Sequence, residues 1–120
     1  MKIQESAENY LETILVLSRN GSPVRSIDIS NELNYTKPSV SVAMKKLRLD
    51  GYVEVDENGY VLLTESGRKI AESMHERHEL ISNWLVSLGV AGDIAARDAC
   101  KMEHVISEQS FKAIRAHIKK

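Results

Sequence analysis

Three side chains near the C-terminal end have the types and the spacing to hold a metal ion. Cys100, Glu103 and His104 stand at i, i+3 and i+4. On a helix that is one face, within about one turn. Thiolate, carboxylate and imidazole are all ligands of first-row divalent metals. The mixture suits Fe(II), Co(II), Ni(II) or Zn(II), and suits Mg(II) or Ca(II) poorly. Taken singly, each residue has an ordinary explanation. A lone cysteine is more often a small buried apolar group, and a lone histidine a satisfied core or surface residue. Met102, lying between them, reads as packing. The shared face is what carries the metal reading. His78 lies upstream on another helix, and spacing does not tie it to the cluster.

Composition bounds what surrounds this cluster. A chain of 120 residues fits one domain or two small subdomains. No apolar run approaches a membrane span, and Met1-Lys2-Ile3-Gln4 does not begin a signal peptide. A cytoplasmic protein with no membrane partner is therefore expected. The single cysteine, Cys100, has no partner in the chain for an internal disulfide. A formal net charge of −1 argues against indiscriminate coating of nucleic acid, but leaves room for a local basic patch.

The elements that must position the cluster can be read in order. Residues 4–19 read as a helix with a broad apolar face of Tyr10, Leu11, Ile14, Leu15, Val16 and Leu17, leaving Glu5, Glu8 and Glu12 polar. Asn20-Gly21-Ser22-Pro23 ends it. A short helix over 26–33 is expected, with Ser26 as its N-cap and Ile27, Ile29 and Leu33 facing the core. After Asn34-Tyr35, Thr36 caps a third helix with Pro38 in its first turn. Val40, Ala43, Met44 and Leu47 are its buried face, and Gly51 stops it. Residues 52–55 and 60–63 alternate as strands, joined at Asp56-Glu57-Asn58-Gly59 through a hairpin signal, Asn-Gly. Helix, turn, helix and hairpin make a winged helix-turn-helix. A long helix over 65–88, capped by Thr64, follows; then helices over 94–105, capped by Asp93, and 108–118, capped by Ser107. The fold class is mainly α: a winged helix-turn-helix over residues 1–73, then a helical metal-binding and dimerisation domain over residues 74–120.

From Thr36 to Arg48 the third helix carries Lys37, Lys45, Lys46 and Arg48 and no acidic residue. A helix in the major groove needs small polar side chains near its N-terminus and cations flanking them for phosphates. Thr36, Lys37, Ser39 and Ser41 are candidates for groove and phosphate contacts, with Lys45 and Lys46 further along the basic face. Pro38 and Val42 are candidates for thymine methyl groups. Arg25 and the wing tip near Asn58 are placed to meet neighbouring backbone. The plain alternative is a solvated basic face; the capped helix before it and the hairpin after it favour double-stranded operator DNA. So few cations point to a homodimer reading two half-sites.

As a whole the pattern resembles the diphtheria toxin repressor family of metal-dependent repressors, including its manganese-regulator branch. Glu8-Asn9-Tyr10-Leu11-Glu12, Thr36-Lys37-Pro38-Ser39-Val40 and Leu63-Thr64-Glu65-Ser66-Gly67 contribute. The most specific matches are Arg77-His78-Glu79-Leu80 and Ala99-Cys100-Lys101-Met102-Glu103-His104-Val105. The resemblance implies homodimeric repressors of metal-homeostasis genes, activated by Fe(II) or Mn(II). It implies that Glu103 and His104 are ligands in both branches. Cys100 matches the iron-type cysteine, His78 the histidine of the neighbouring metal position, and Glu12 a manganese-branch carboxylate. Asn9 stands where the iron branch has methionine and the manganese branch aspartate. Ser82 and Ala96 stand where iron-type members place further ligands. Cys100 leans to iron and Glu12 to manganese, with Fe(II) the first expectation and Mn(II) the second. The implied mechanism has the cation joining helix 1 (Asn9, Glu12) to the helical half (His78, Cys100, Glu103, His104). The SH3-like domain of longer relatives is expected to be absent.

Two rival functions remain open on the residues alone. One is a winged-helix regulator whose effector is not a metal. The other is a small metal-dependent hydrolase, against which stands the lack of a separate base or a Gly-rich oxyanion loop.

Overall fold

The structure, a computed structural model, describes residues 5–19 and 21–119. Expectations placed on residues 1–4 and on Asn20 lie outside the described residues. The described elements run α1 (Glu5–Ser18), α2 (Ser26–Leu33), α3 (Lys37–Leu49), β1 (Val53–Val55), β2 (Val61–Leu63), α4 (Glu65–Ser87), α5 (Gly92–Val105) and α6 (Glu108–Ile118). They divide into two compact units, residues 1–72 and 73–120, with the boundary inside α4. None of the described helices is long and apolar enough to cross a membrane.

The first unit is a winged helix-turn-helix. Its core joins Tyr10, Leu11, Ile14 and Leu15 of α1 to Ile29 of α2, and to Val40, Met44 and Leu47 of α3. Val24 before α2, Val53 and Val61 of the strands and Ala71 of α4 complete it. The strands pair antiparallel, Val53 with Leu63 and Val55 with Val61, so the two buried valines point to one face. Val61 N–H also donates to the Val24 carbonyl at 2.7 Å, anchoring the hairpin to the segment before α2.

Local chemistry sets the ends of these elements. Thr36 Oγ1 accepts the Ser39 N–H at 3.3 Å, the N-cap expected of it. Thr64 caps α4 by accepting the Gly67 N–H at 3.2 Å, and donates to the Gly51 carbonyl at 2.7 Å. Ser107 caps α6 through the Ser110 N–H at 3.1 Å.

Two caps fall elsewhere. Arg25, not Ser26, is the N-cap of α2, its N–H satisfied by Asp28 Oδ2 at 2.9 Å. A carboxylate at the third helical position reaches back to the cap backbone and frees the choice of cap side chain. Asp93 sits inside the first turn of α5, which starts at Gly92 behind Ala91 without a side-chain cap. There a carboxylate still favours the positive end of the helix dipole.

The wing turn differs in kind from a two-residue Asn-Gly turn. Asp56 Oδ1 accepts both the Asn58 and Tyr60 N–H groups, each at 2.9 Å. Among Asp56, Glu57, Asn58 and Gly59, only Gly59 has positive φ, at 82°. That is a tight turn followed by a left-handed glycine, the three-residue hairpin solution.

Burial departs from the sequence pattern at three places. Ile27, expected in the core, is 37% exposed. Val16, placed on the apolar face of α1, is exposed as well. Glu12, expected to stay polar and outside, is buried: α1 is enclosed without a break from Tyr10 to Leu15. More than a full turn is therefore covered on every side, and a one-sided amphipathic pattern does not describe such a helix.

Candidate metal centre and nucleic-acid interface

The second unit builds its site on the inner face of α5. Ala95, Ala99 and Glu103 recur at i, i+4 and i+8, and all three are buried. Helical periodicity thus carries a carboxylate inward on a stripe otherwise made of alanine. Glu103 is fully enclosed, at 0% exposure. An ionised carboxylate removed from water is costly unless it is paired. Two imidazoles are among its partners. His78 Nδ1 on α4 lies 3.0 Å from Glu103 Oε2. His104 Nε2 lies 3.2 Å from Glu103 Oε1, its ring almost wholly buried.

Cys100 sits one turn earlier on α5, at the exposed edge of this group. One donor atom each from Cys100, Glu103 and His104 fall within 4.8 Å of one another. Bonds of about 2.0–2.3 Å to N and S separate ligand atoms by up to about 4.6 Å across an ion. The spread is therefore that of a single coordination sphere, after shifts of a few tenths of an ångström. Thiol, carboxylate and imidazole fit a first-row divalent metal. The structure thus brings together Cys100, Glu103 and His104, and places His78 against Glu103, which spacing had left unconnected. Asn9 and Glu12 lie in the first unit at i, i+3 on α1, Asn9 half-buried and Glu12 buried.

One contributor escaped the sequence reading. Arg77, beside His78, is buried and donates to main-chain carbonyls at the end of α5, including that of Glu103, at 3.1 Å. A signal existed: Met74, Arg77 and Ile81 follow the spacing of the apolar stripe of α4, so an arginine occupies a core position.

The first unit presents the other candidate surface. Along α3, Val40, Met44 and Leu47 turn inward, while Lys37, Pro38, Ser39, Ser41, Val42, Lys45 and Lys46 are exposed, with Thr36 at the cap. No acidic residue lies in the first turn of α3. The Thr36 and Ser39 hydroxyls are 2.8 Å apart, so capping and the exposed polar edge share the same groups. Val42 at 69% and Leu49 at 86% are apolar side chains left open to solvent on this basic helix. The Arg25 guanidinium lies 4.6 Å from the centre of the Tyr60 ring, next to the wing turn. A hydrogen bond to Tyr60 leads the influences that hold its pKa above the ordinary arginine value; the charges of Asp28 and Asp56 add to it.

A winged helix-turn-helix with an open basic helix, followed in the chain by a helical unit holding a mixed-donor cluster, defines a DNA-binding regulator with a metal-sensing half. Two family descriptions match the chain: "Iron dependent repressor, N-terminal DNA binding domain" over residues 2–61, and "Iron dependent repressor, metal binding and dimerisation domain" over residues 64–120. The chain belongs to this iron-dependent, diphtheria toxin repressor family of transcriptional repressors. Transcriptional regulator MntR of Escherichia coli O157:H7 is 36% identical over 117 residues, covering 98% of this chain and 76% of that protein. Iron-dependent repressor IdeR of Mycobacterium tuberculosis H37Rv is 32% identical over 109 residues, covering 89% of this chain and 47% of its own length. The solved manganese regulator SloR superposes with a TM-score of 0.85 at 28% identity, over 99% of this chain. The chain spans about half the length of that solved protein, 55%. These relatives are regulators, not enzymes, and the hydrolase alternative is set aside.

Proposed function

We propose that this chain represses transcription by binding operator DNA as a homodimer when loaded with a divalent metal, Fe(II) foremost, and so controls metal-homeostasis genes in the cytoplasm. Residues 1–73 are assigned to DNA binding, and 74–120 to metal binding and dimerisation. The observation that supports the choice of metal is the Cys100 thiol within 4.8 Å of donor atoms of Glu103 and His104. A thiolate donor favours Fe(II) over the harder Mn(II). His78 is assigned as a further donor from α4, and Asn9 and Glu12 as donors from α1. When bound, the ion supplies positive charge among the carboxylates and a fixed set of directed bonds. On the DNA side, Thr36, Lys37, Ser39, Ser41, Lys45 and Lys46 are assigned to groove and phosphate contacts, Pro38 and Val42 to thymine methyls, and Arg25 to backbone near the wing. The second unit exposes Val86, Leu88, Ile94 and Val105, apolar surface that a second copy would cover.

The first experiment is an anaerobic optical titration of reduced, metal-free protein with Co(II), beside Cys100→Ser. A thiolate-to-cobalt charge-transfer band that saturates in the wild type and vanishes in the variant supports iron-type ligation. Co(II) binding without such a band removes Cys100 from the site and shifts the assignment to Mn(II). That second reading has its own support in the solved manganese regulator and in the buried carboxylate of Glu12. Glu12→Gln and His104→Ala are expected to stay folded and to lose metal-dependent DNA binding. DNA binding that survives chelation unchanged would defeat the sensor assignment, leaving a regulator with another effector. Metal has to favour the DNA-competent state, and DNA in turn has to tighten metal by the same factor.

A further inference from the structure

Two adjacent residues of α4 hold the same residue of α5. His78 meets the Glu103 carboxylate, and Arg77 meets its main chain. Arg77 Nη1 donates to the Glu103 carbonyl at 3.1 Å and to the Ile106 carbonyl at 2.8 Å. α5 ends at Val105, so the Glu103 carbonyl belongs to the last turn, where helix carbonyls have no partner within the helix. That carbonyl is part of the peptide joining Glu103 to His104, the two donors with the most enclosed side chains. Fixing the plane of that peptide fixes the direction in which both side chains leave the backbone.

The guanidinium is itself held from the far side. Its central carbon lies 5.2 Å from the centre of the Phe111 ring on α6, and Nη2 reaches Glu108 Oε2 at 3.4 Å. The residue is 7% exposed. A planar fork with several fixed donors can serve two carbonyls at once, which a single ammonium cannot do as well.

We propose that Arg77 is a positioning residue of the metal centre, fixing the Glu103–His104 peptide and tying it to α6. The proposal rests on the metal reading above and deepens it. Partners that orient metal ligands without touching the metal commonly carry about ten- to a hundred-fold in metal affinity.

Arg115 supplies the control. It also ties α6 to α4, through Glu76 at 2.7 Å, and lies against Phe111 at 5.4 Å. Neither of those contacts involves a donor residue. The test compares Arg77→Met, Arg77→Lys and Arg115→Met with wild type. Thermal unfolding, hydrogen exchange of the metal-free protein and Co(II) titration are measured on each. In the metal-free state, amides over 103–107 should exchange faster in Arg77→Met and keep wild-type rates in Arg115→Met. Co(II) should bind about ten- to a hundred-fold more weakly to Arg77→Met, with a changed visible spectrum. Arg77→Lys should recover part of the affinity, and Arg115→Met should melt earlier yet keep the wild-type Co(II) spectrum and affinity. If Arg77→Met does not fold, Arg77→Lys carries the comparison, with weakened Co(II) binding expected. Wild-type Co(II) binding and spectrum in a folded Arg77 variant overturn the proposal. So does an equal loss in Arg77→Met and Arg115→Met, which marks general destabilisation. Failure of the wild-type protein to bind Co(II) at all overturns the metal reading, and this proposal with it.

Discussion

Glu103 joins function to stability at the scale of one side chain. It is a carboxylate enclosed on the stripe that Ala95 and Ala99 define, with His78 and His104 against its two oxygens. Replacing a whole buried ion pair by apolar groups is often neutral or stabilising, but removing one partner leaves the other buried and unmatched. Glu103→Leu leaves the His78 and His104 imidazoles facing an apolar group, and is therefore expected to destabilise the metal-free protein by about 1–3 kcal/mol. The same variant should bind no Co(II). Urea unfolding and the optical titration check the two halves separately. Unchanged stability would mean that the two imidazoles do not depend on the carboxylate. A second residue-scale prediction concerns Tyr10, whose pKa burial raises, with Tyr35 adding to the effect. A group that ionises later in the folded than in the unfolded state holds its proton more tightly when folded. Tyr10 thus contributes stability that is fully present below the ordinary tyrosine pKa of about 10 and is lost as pH rises through its folded value. An ultraviolet titration should show a late phenol phase that Tyr10→Phe removes. Unfolding of the wild type should become easier above about pH 10 than unfolding of the variant.

At the scale of elements, the start of α4 is bound closely to the turn before β1. A Cβ placed on Gly67 would lie 2.0 Å from the Tyr52 carbonyl oxygen, a backbone atom that cannot swing aside. That carbonyl also accepts the Thr64 N–H. Gly67→Ala should destabilise by about 3 kcal/mol, read as a lower denaturant midpoint, because room has to come from moving the helix or the strand. Thr36→Ala should cost about 1 kcal/mol through loss of the α3 cap. An unchanged midpoint in either variant would contradict the corresponding contact. The elements themselves were legible, since Val40, Met44 and Leu47 repeat at helical spacing and Thr36, Thr64 and Ser107 mark starts. Less legible was whatever depends on a particular partner rather than on the residue's own type. Arg25 serves as a cap because Asp28 reaches back to it, and Ile27 stays exposed although its type suits a core. Enclosure of Glu12 is not written in the one-sided pattern of α1. At the candidate site, one-face spacing on α5 found Cys100, Glu103 and His104. It was blind to His78 and Arg77, which reach them from α4.

For the whole molecule, a net charge of −1 means that attraction to DNA cannot come from the overall field. It has to come from the local run on α3, where Lys37, Lys45 and Lys46 are exposed and no acidic residue intervenes. Each phosphate contact releases counterions, so the logarithm of affinity falls with the logarithm of salt by about 0.9 per contact. If Lys45 meets a phosphate in each half-site of a homodimer, Lys45→Ala removes two contacts. The salt slope should then shrink by about two, by a similar amount on every DNA sequence. Val42 makes the opposite case. It is an apolar side chain projecting from the same helix, with no charge to exchange for counterions. Val42→Ala should leave the salt slope unchanged and alter sequence preference. Replacing thymine by uracil in a bound DNA removes only the methyl group, and should weaken the wild-type protein while leaving Val42→Ala indifferent. DNA selected for binding to the metal-loaded protein supplies the sequences for both measurements. A slope that Lys45→Ala does not change would take Lys45 off the phosphates. Equal sensitivity of wild type and Val42→Ala to uracil would take Val42 off the bases and leave its exposure on α3 to be explained by another partner.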